Sequence, residues 1–245
     1  MTEARARVVV VAALKEELSA VAAALPPGAE ERVALLQCGV GADCAARTAQ
    51  AVLARRPAPR LICSTGFCGG LSDGLTAGTI VLAEKFLRGD GAAHEALAGD
   101  GALIGMFGGA LAGREVRHRR GALVSVGAAV VSPEAKRVLG GRCGALAVDM
   151  ESFALASSAA AGGTPFLAMR AVSDGPDEAL PAEVGTFLDE RGKPRLGRIM
   201  AFALRRPRNL QALLRLKRRS DEARGALLAA WRAVWPVLLS GDIGD

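Results

Sequence analysis

Acidic residues follow apolar segments at three widely separated points of the chain. Glu17 lies in ALKEEL after the first apolar run, Asp149 and Glu151 lie in VDMES, and Asp174 ends RAVSD. A single acid at such a place is commonly a first-turn residue, because carboxylates favour the positive end of a helix dipole. Three such sites at the carboxyl edge of one sheet would share a crevice. Their convergence predicts chemistry that moves protons and stabilises a cationic transition state.

Apolar strands that alternate with helices would position these acids. The pattern predicts strands over residues 8–14, 33–38, 61–65, 79–83, 122–126, 145–148 and 166–173, and helices over 16–25, 42–56, 102–112, 133–139, 150–161, 197–204, 209–218 and 221–234. This alternation predicts an α/β fold in three layers, with a mainly parallel or mixed central sheet and helices on both faces. We expect a catalytic core over residues 1–180. A helical C-terminal extension over residues 181–245 would pack on that core or continue it.

The composition excludes several classes of protein. The 245 residues are 51% hydrophobic, which suits one large domain, and no apolar run reaches the ~18 residues of a membrane-spanning helix. Five cysteines without a Cys-x-x-Cys pair and two distant histidines predict neither a disulfide framework nor a metal site. The first apolar run is short, ends in Lys-Glu-Glu and is followed by no cleavage site, so it predicts a strand rather than a signal peptide. We therefore expect a cytoplasmic protein.

The segment TGFCGG, Thr65 to Gly70, is rich in glycine and follows a strand. A dinucleotide fingerprint requires a helix directly after such a loop, whereas a strand follows here. GVGADCA does open a helix but lacks the third glycine. We expect a loop at Thr65 to Gly70 that lets a ligand approach the backbone, and no dinucleotide cofactor.

The basic character of the protein is confined to its C-terminal region. Residues 191–219 contain eleven basic residues and no acid, so the rest of the chain carries a net charge of about −5. Leucines interleave with the basic residues, as in a helix that binds the surface of an anionic membrane, here at the inner face. A solvated helical face is the alternative, and nucleic-acid binding is not expected because few aromatic residues accompany the charges.

A stripe of apolar residues follows the basic segment. Its members are Leu227, Leu228, Trp231, Val234 and Trp235. Their helical spacing predicts one buried face, which would form either an interface between subunits or part of the core.

Five motifs occur together in a fixed order: AALKEEL, CGVG, TGFCGGL with AGTIVLAE, VDMESFALA and RAVSD. In this combination, over about residues 8–175, the chain resembles the purine nucleoside phosphorylase and nucleosidase superfamily. It looks most like the branch that contains methylthioadenosine/S-adenosylhomocysteine nucleosidase. The alanine-rich character and the basic extension are similar to a narrower group, the hopanoid-associated nucleosidases or phosphorylases. The resemblance implies a homo-oligomer that releases adenine from a nucleoside, which for the narrower group is an adenosylhopane-like lipid nucleoside in hopanoid biosynthesis.

The resemblance also implies a role for each acid. Asp174 would hydrogen-bond N7 of the purine and help protonate the leaving base, and Glu17 would position and deprotonate a water molecule. Glu151 would hold the ribose hydroxyls, and Asp149 would be a helix-start acid. The implied substrate-binding set comprises Glu151, Met150, Gly66, Phe67, Ala129, Val130 and Ser173.

The choice between water and phosphate as the nucleophile rests on few residues. Phe67 stands where many relatives carry a Ser or Thr that contacts phosphate, which favours hydrolysis, as does Glu17. Thr65, Arg47 and Arg170 remain candidates for phosphate binding, and phosphate would be a co-substrate only in a phosphorolytic reaction. No other cofactor and no metal are expected. A methylthioadenosine/S-adenosylhomocysteine nucleosidase, a nucleoside phosphorylase and a non-catalytic nucleotide-binding module held at a membrane are the alternatives, and the intact acid set argues against the last.

Overall fold

A mixed β-sheet forms the centre of the protein. The computed structural model describes residues 7–89, 95–187, 189, 193 and 195–240, and within them the sheet has eight strands. The strands are β1 (Val8–Ala12), β2 (Val33–Gln37), β3 (Leu61–Gly70), β4 (Ile80–Arg88), β5 (Ala96–Ala98), β6 (His118–Ser125), β7 (Ala147–Asp149) and β8 (Phe166–Asp174).

The pairing of the strands makes part of the sheet close on itself. β1 pairs in parallel with β2 and β3, and β3 pairs in parallel with β8. β4 is antiparallel to β8 and parallel to β6, while β7 joins β6 to the end of β3. The ring β3–β8–β4–β6–β7 therefore brings the ends of strands that are distant in sequence to one side of the molecule.

Helices cover both faces of the sheet, which confirms the expected α/β class. Their bounds are α1 (Lys15–Ala24), α2 (Ala42–Leu53), α3 (Gly101–Ala112), α4 (Pro133–Cys143), α5 (Ser152–Ala161), α6 (Leu196–Arg205) and α7 (Pro207–Ser240), with short 3₁₀ turns at Ala29–Glu31 and Val184–Thr186. One apolar core joins the sheet to α1, α3 and α7, and a second joins it to α2 and α5. Val8 and Val10 enter the first core and Val9 and Val11 the second, which explains why β1 is apolar at successive positions.

The prediction of a glycine-rich loop at Thr65 to Gly70 was wrong. β3 continues through this stretch to Gly70, because β8 pairs with it along most of its length and β7 pairs with Gly69 and Gly70. Tertiary pairing thus overrides the low strand propensity of glycine.

The C-terminal segment also differs from the prediction. The two helices expected at 209–218 and 221–234 are one helix, α7. Ion pairs Lys217–Asp221 and Arg218–Glu222, each spaced i,i+4, bridge the expected break and stabilise the continuous helix.

The second half of α7 belongs to the core of the protein. Trp231, Trp235, Leu227 and Val234 have no exposed surface, and Nε1 of Trp231 donates to Oγ1 of Thr65 at 3.1 Å. The apolar stripe of α7 is therefore core within this chain, and only Leu228 is partly buried. The boundary at residue 180 between a catalytic core and a C-terminal extension stays a prediction. No helix in the described ranges has the length and apolar character needed to cross a membrane.

Candidate active site

The three acidic sites meet at one cavity of about 200 Å³. Its lining comes from the segments that follow β1, β2, β6, β7 and β8 and from the far end of β3. The predicted residues that line it are Glu17, Phe67, Ala129, Val130, Met150, Glu151, Ser173 and Asp174. Gly66 is the one predicted residue absent from the described lining, and it lies directly behind Glu17.

Glu17 is held by the backbone at the start of α1. Its Oε2 accepts the N–H of Leu14 at 2.8 Å, and its Oε1 accepts the N–H of Phe67 at 2.7 Å. The side chain is 3% exposed. Burial raises the pKa of Glu17, although the Arg170 guanidinium and the backbone N–H groups oppose this rise. The carboxyl group of Glu17 therefore holds a proton more strongly than an exposed glutamate does.

Gly66 allows Glu17 and Arg170 to approach the backbone of β3. Its φ of +142° disfavours an L side chain, and a Cβ there would lie 2.5 Å from Nη1 of Arg170 and 2.6 Å from Oε1 of Glu17. A glycine is required here by close packing inside the strand, rather than by a turn.

Arg170 is the counter-charge of the site. It lies in β8 and is 1% exposed, with Nη2 at 2.8 Å from Oδ2 of Asp149 and 3.9 Å from Oε2 of Glu151. Nearby carboxylates raise the pKa of Arg170, against the opposing effect of its burial, which is the largest single influence. Sequence reasoning named Arg170 only as a candidate for phosphate, although a lone charge inside the apolar run FLAMRAV already indicates a buried ion pair.

Asp149 and Glu151 both face Arg170 but differ in their other partners. Asp149 accepts the N–H of Ser152, the first residue of α5, as expected of a helix-start acid, and it also accepts Oγ–H of Ser125 at 2.5 Å. Glu151 lines the cavity, and its Oε1 accepts the N–H of Gly41 at 2.8 Å. Burial raises the pKa of Glu151 to about 7, with Arg170 opposing and Asp149 adding to the rise.

Asp174 is fixed through both oxygens. Oδ1 accepts Oγ–H of Ser173 at 2.6 Å, and Oδ2 lies 2.5 Å from Nζ of Lys136 in α4. Sequence reasoning missed Lys136, because the neighbouring Arg137 is of the same type and nothing local distinguishes a buried cation from an exposed one.

A second cavity, of about 480 Å³, adjoins the first. The two share Val40, Ala128, Ala129 and Met150, and the second extends to Arg195 and Arg198 beside α6. The loop over the first cavity is tied down where the N–H of Leu180 donates to the carbonyl of Val131 at 2.9 Å. The shared lining residues therefore join the acid-lined cavity to the surface of α6.

A third cavity, of about 550 Å³, lies among arginines between residues 179–183 and the helices α6 and α7, and it shares Leu180 with the small cavity. In the described part of the chain, no group of three or more His, Cys, Asp or Glu side chains is arranged to hold a metal ion.

A sheet with helices on both faces and an acid-lined cavity at the strand ends are the features of an α/β enzyme with its site at the edge of the sheet. The family model of the phosphorylase superfamily matches residues 7–202, so the chain belongs to that superfamily. This confirms the prediction that the protein is an enzyme that cleaves glycosidic bonds.

Solved structures of similar fold include nucleosidases and a hydrolase. The 5′-methylthioadenosine/S-adenosylhomocysteine nucleosidase of Neisseria meningitidis is 21% identical, with a TM-score of 0.70 over 93% of this chain and 97% of that one. The corresponding enzyme of Helicobacter pylori is 14% identical, with a TM-score of 0.71 over 97% and 99%. Futalosine hydrolase of Helicobacter pylori is 15% identical, with a TM-score of 0.68 over 93% and 98%.

Proposed function

We propose that the protein cleaves the N-ribosidic bond of an adenine nucleoside, with water as the nucleophile. The observation that carries this proposal is the meeting of four buried carboxylates, Glu17, Asp149, Glu151 and Asp174, around one small cavity. Asp149 is engaged at the start of α5, which leaves the other three for the substrate. Such a cavity suits a reaction in which the sugar becomes cationic while a base departs and a water molecule attacks.

Asp174 acts on the leaving base. As the bond between the sugar C1′ and the purine nitrogen breaks, its electron pair moves into the purine ring, and a proton on N7 makes the base a better leaving group. The position of Asp174 at the cavity wall, 3% exposed, suits a carboxylic acid that supplies this proton. A proton transfer of this kind contributes about 10²–10⁴-fold to the rate.

Glu151 and Met150 act on the sugar. One oxygen of Glu151 is engaged by Gly41, which orients the carboxylate in the cavity wall, where it can accept hydrogen bonds from the ribose hydroxyls. Its negative charge also stabilises the oxocarbenium-like sugar, the more so because the carboxylate is buried. Met150 contributes apolar surface against the ring.

Glu17 acts on the nucleophile. Its oxygens accept the N–H groups of Leu14 and Phe67, and a carboxylate has about four lone-pair sites, so it can also accept from a water molecule. Its raised pKa favours proton abstraction as the water attacks the sugar.

The contacts of β3 favour water over phosphate. The N–H of Phe67 is occupied by Glu17, so a phosphate approaching that amide would meet a carboxylate. Thr65 is buried against Met169 and Trp231, and Arg47 is exposed on α2, where it donates to Cys44.

Arg170 is committed to protein partners as well. It donates to the carbonyl of Thr65 at 3.0 Å, to Oγ of Ser64 at 2.8 Å and to Oγ of Ser152 at 2.9 Å. None of the three earlier candidates for phosphate binding is among the described residues that line the small cavity. Phosphorolysis, with phosphate as co-substrate, is the runner-up.

A lipid-like nucleoside is the finer form of the proposal, with an adenosylhopane-like compound of hopanoid biosynthesis as the specific candidate. The adjoining cavity offers room for a large 5′ substituent and leads towards α6. Leu196, Met200 and Leu204 form an i, i+4, i+8 stripe on α6 with 70%, 56% and 80% of their surfaces exposed. Exposed apolar side chains at this spacing, beside arginines, suit reversible contact with an anionic bilayer. Binding to anionic but not to neutral vesicles at equal salt concentration tests this contact.

Release of adenine from a panel of nucleosides tests the activity itself. The panel comprises adenosylhopane, methylthioadenosine, S-adenosylhomocysteine, adenosine and inosine, each with and without phosphate. We expect turnover of adenine nucleosides that does not depend on phosphate. Adenine released only when phosphate is present would establish the phosphorylase, and a preference for the thioether nucleosides would establish the methylthioadenosine/S-adenosylhomocysteine activity. We also expect a homo-oligomer, which light scattering on the purified protein measures.

A further inference from the structure

Lys136 is a buried cation in an otherwise solvent-facing helix. It is the one residue of α4 that is fully buried, with 0% of its surface exposed. An ammonium group is almost never fully buried unless it is paired, because burial removes its hydration. Its contacts therefore indicate why the chain places a lysine here.

Three acceptors surround the ammonium group. Nζ lies 2.5 Å from Oδ2 of Asp174 and donates to the carbonyl of Gly175 at 2.8 Å and to the carbonyl of Glu178 at 2.7 Å. An ammonium has three N–H donors, so these contacts use all of them. Glu178 Oε2 accepts the N–H of Gly175 at 2.8 Å, which closes the turn. Lys136 thus binds both the carboxylate that faces the cavity and the turn that follows it.

We propose that Lys136 is a positioning residue for protonation of the leaving base, which holds Asp174 in place and stabilises the carboxylate that remains once its proton has moved to the purine. This inference rests on the proposed function. In the step, the O–H bond of Asp174 breaks and an N–H bond forms at N7, while the electron pair of the ribosidic bond moves into the base. The attraction between Lys136 and Asp174 increases as the carboxylate gains charge, so Lys136 stabilises the transition state more than it stabilises the ground state.

Lys136→Met tests the proposal, with Arg137→Met as the matched control. Arg137 follows on the same helix, but it is exposed and pairs with Asp177 at the surface. Two substrates are compared: an adenine nucleoside, and 4-nitrophenyl riboside, whose leaving group needs no proton. We expect kcat for the adenine nucleoside to fall about 10–100-fold in Lys136→Met with little change in KM, as misplacement of a catalytic group does. Activity on the nitrophenyl riboside should change less than threefold, and Arg137→Met should match the wild type on both.

The ratio of the two activities separates a positioning role from a structural one. A purely structural role would lower turnover of both substrates by the same factor. Equal losses on the two substrates, or a rise in KM with no fall in kcat for the adenine nucleoside, would overturn the proposal. If Lys136→Met does not fold, Lys136→Arg keeps the charge but cannot direct one nitrogen at three acceptors, and we expect a smaller loss confined to the adenine nucleoside. Wild-type protein that releases no adenine refutes the proposed function, whereas normal adenine release by the lysine variants refutes this inference alone.

Discussion

Nη2 of Arg170 lies 2.8 Å from Oδ2 of Asp149, and both side chains are almost completely buried. The same guanidinium faces Glu151 and also acts on Glu17 electrostatically. The guanidinium of Arg170 therefore interacts with three carboxylates at once. Its pairing with Asp149 affects both the stability of the fold and the charge of the acids that line the cavity.

Replacement of Arg170 by Met should destabilise the fold by about 3–5 kcal/mol, because it leaves buried carboxylates without a counter-charge. Urea denaturation of the variant measures this loss. Arg137→Met, which removes an exposed arginine, should change stability by less than about 1 kcal/mol. An Arg170→Met protein with the wild-type midpoint would show that the pair contributes nothing to folding.

Replacement of Asp174 by Asn should reduce adenine release by at least tenfold and leave the protein folded, because the amide cannot supply a proton to N7. Initial rates with an adenine nucleoside and circular dichroism measure the two effects. Asp177→Asn is the control, since Asp177 lies three residues away, is exposed and pairs with Arg137. Activity above about a tenth of the wild type, a loss well below the usual proton-transfer factor, would exclude Asp174 as the acid.

Replacement of Glu17 by Gln should slow hydrolysis by about 10²-fold or more and preserve ligand binding, because the amide keeps the shape of the side chain but cannot accept a proton. Turnover in phosphate-free buffer measures the loss of hydrolysis, and the affinity for adenine measures whether ligand binding is preserved. Glu16→Gln changes an exposed neighbour in the same helical turn and should behave as the wild type. Normal turnover by Glu17→Gln would remove Glu17 from the mechanism and reopen phosphorolysis.

Replacement of Glu151 by Gln should stabilise the protein at high pH while it impairs activity. Burial raises the pKa of Glu151 from 4.5 to about 7, so the ionised side chain costs stability in the folded state. This cost is absent below pH 4.5 and complete once the pH exceeds about 7. The melting temperature of the variant should exceed that of the wild type at pH 8, corresponding to roughly 3 kcal/mol, and the difference should shrink towards pH 5. A difference that is constant from pH 5 to pH 8 would contradict this assignment, and Glu16→Gln provides the baseline for an exposed carboxylate.

Replacement of Leu196, Met200 and Leu204 together by Ser should reduce binding to anionic vesicles by about tenfold or more, because three apolar side chains no longer enter the bilayer surface. Co-sedimentation at low salt measures the bound fraction. Val138→Ser is the matched control, since Val138 is 55% exposed but lies on α4. Equal binding by the triple variant and the wild type would show that the stripe does not contact the membrane.

Much of the fold was predictable because its signals are local. The signal for the strand at Val8–Val11 and for the helix at Gly101–Ala112 lies within each segment, in its composition and in the spacing of its apolar residues. The sequence alone is therefore enough to predict whether such a segment is a strand or a helix. The extent of β3 was not predictable, because its glycines are held in a strand by pairing with β7 and β8. The continuity of α7 is supported by ion pairs across Ser220, which a division by hydrophobic pattern does not detect.

The sequence by itself determined the order of the motifs and the identity of the three acids, since each follows an apolar element that ends at the same edge of the sheet. Tertiary structure decided which groups these acids contact. Lys136 and Arg137 are adjacent and alike, yet only Lys136 turns inward to Asp174. The amide of Phe67 is occupied by Glu17, fifty residues earlier in the chain. Such contacts join residues that are distant in sequence, and their energies depend on burial and on the distance between charges, which exist only once the chain has folded.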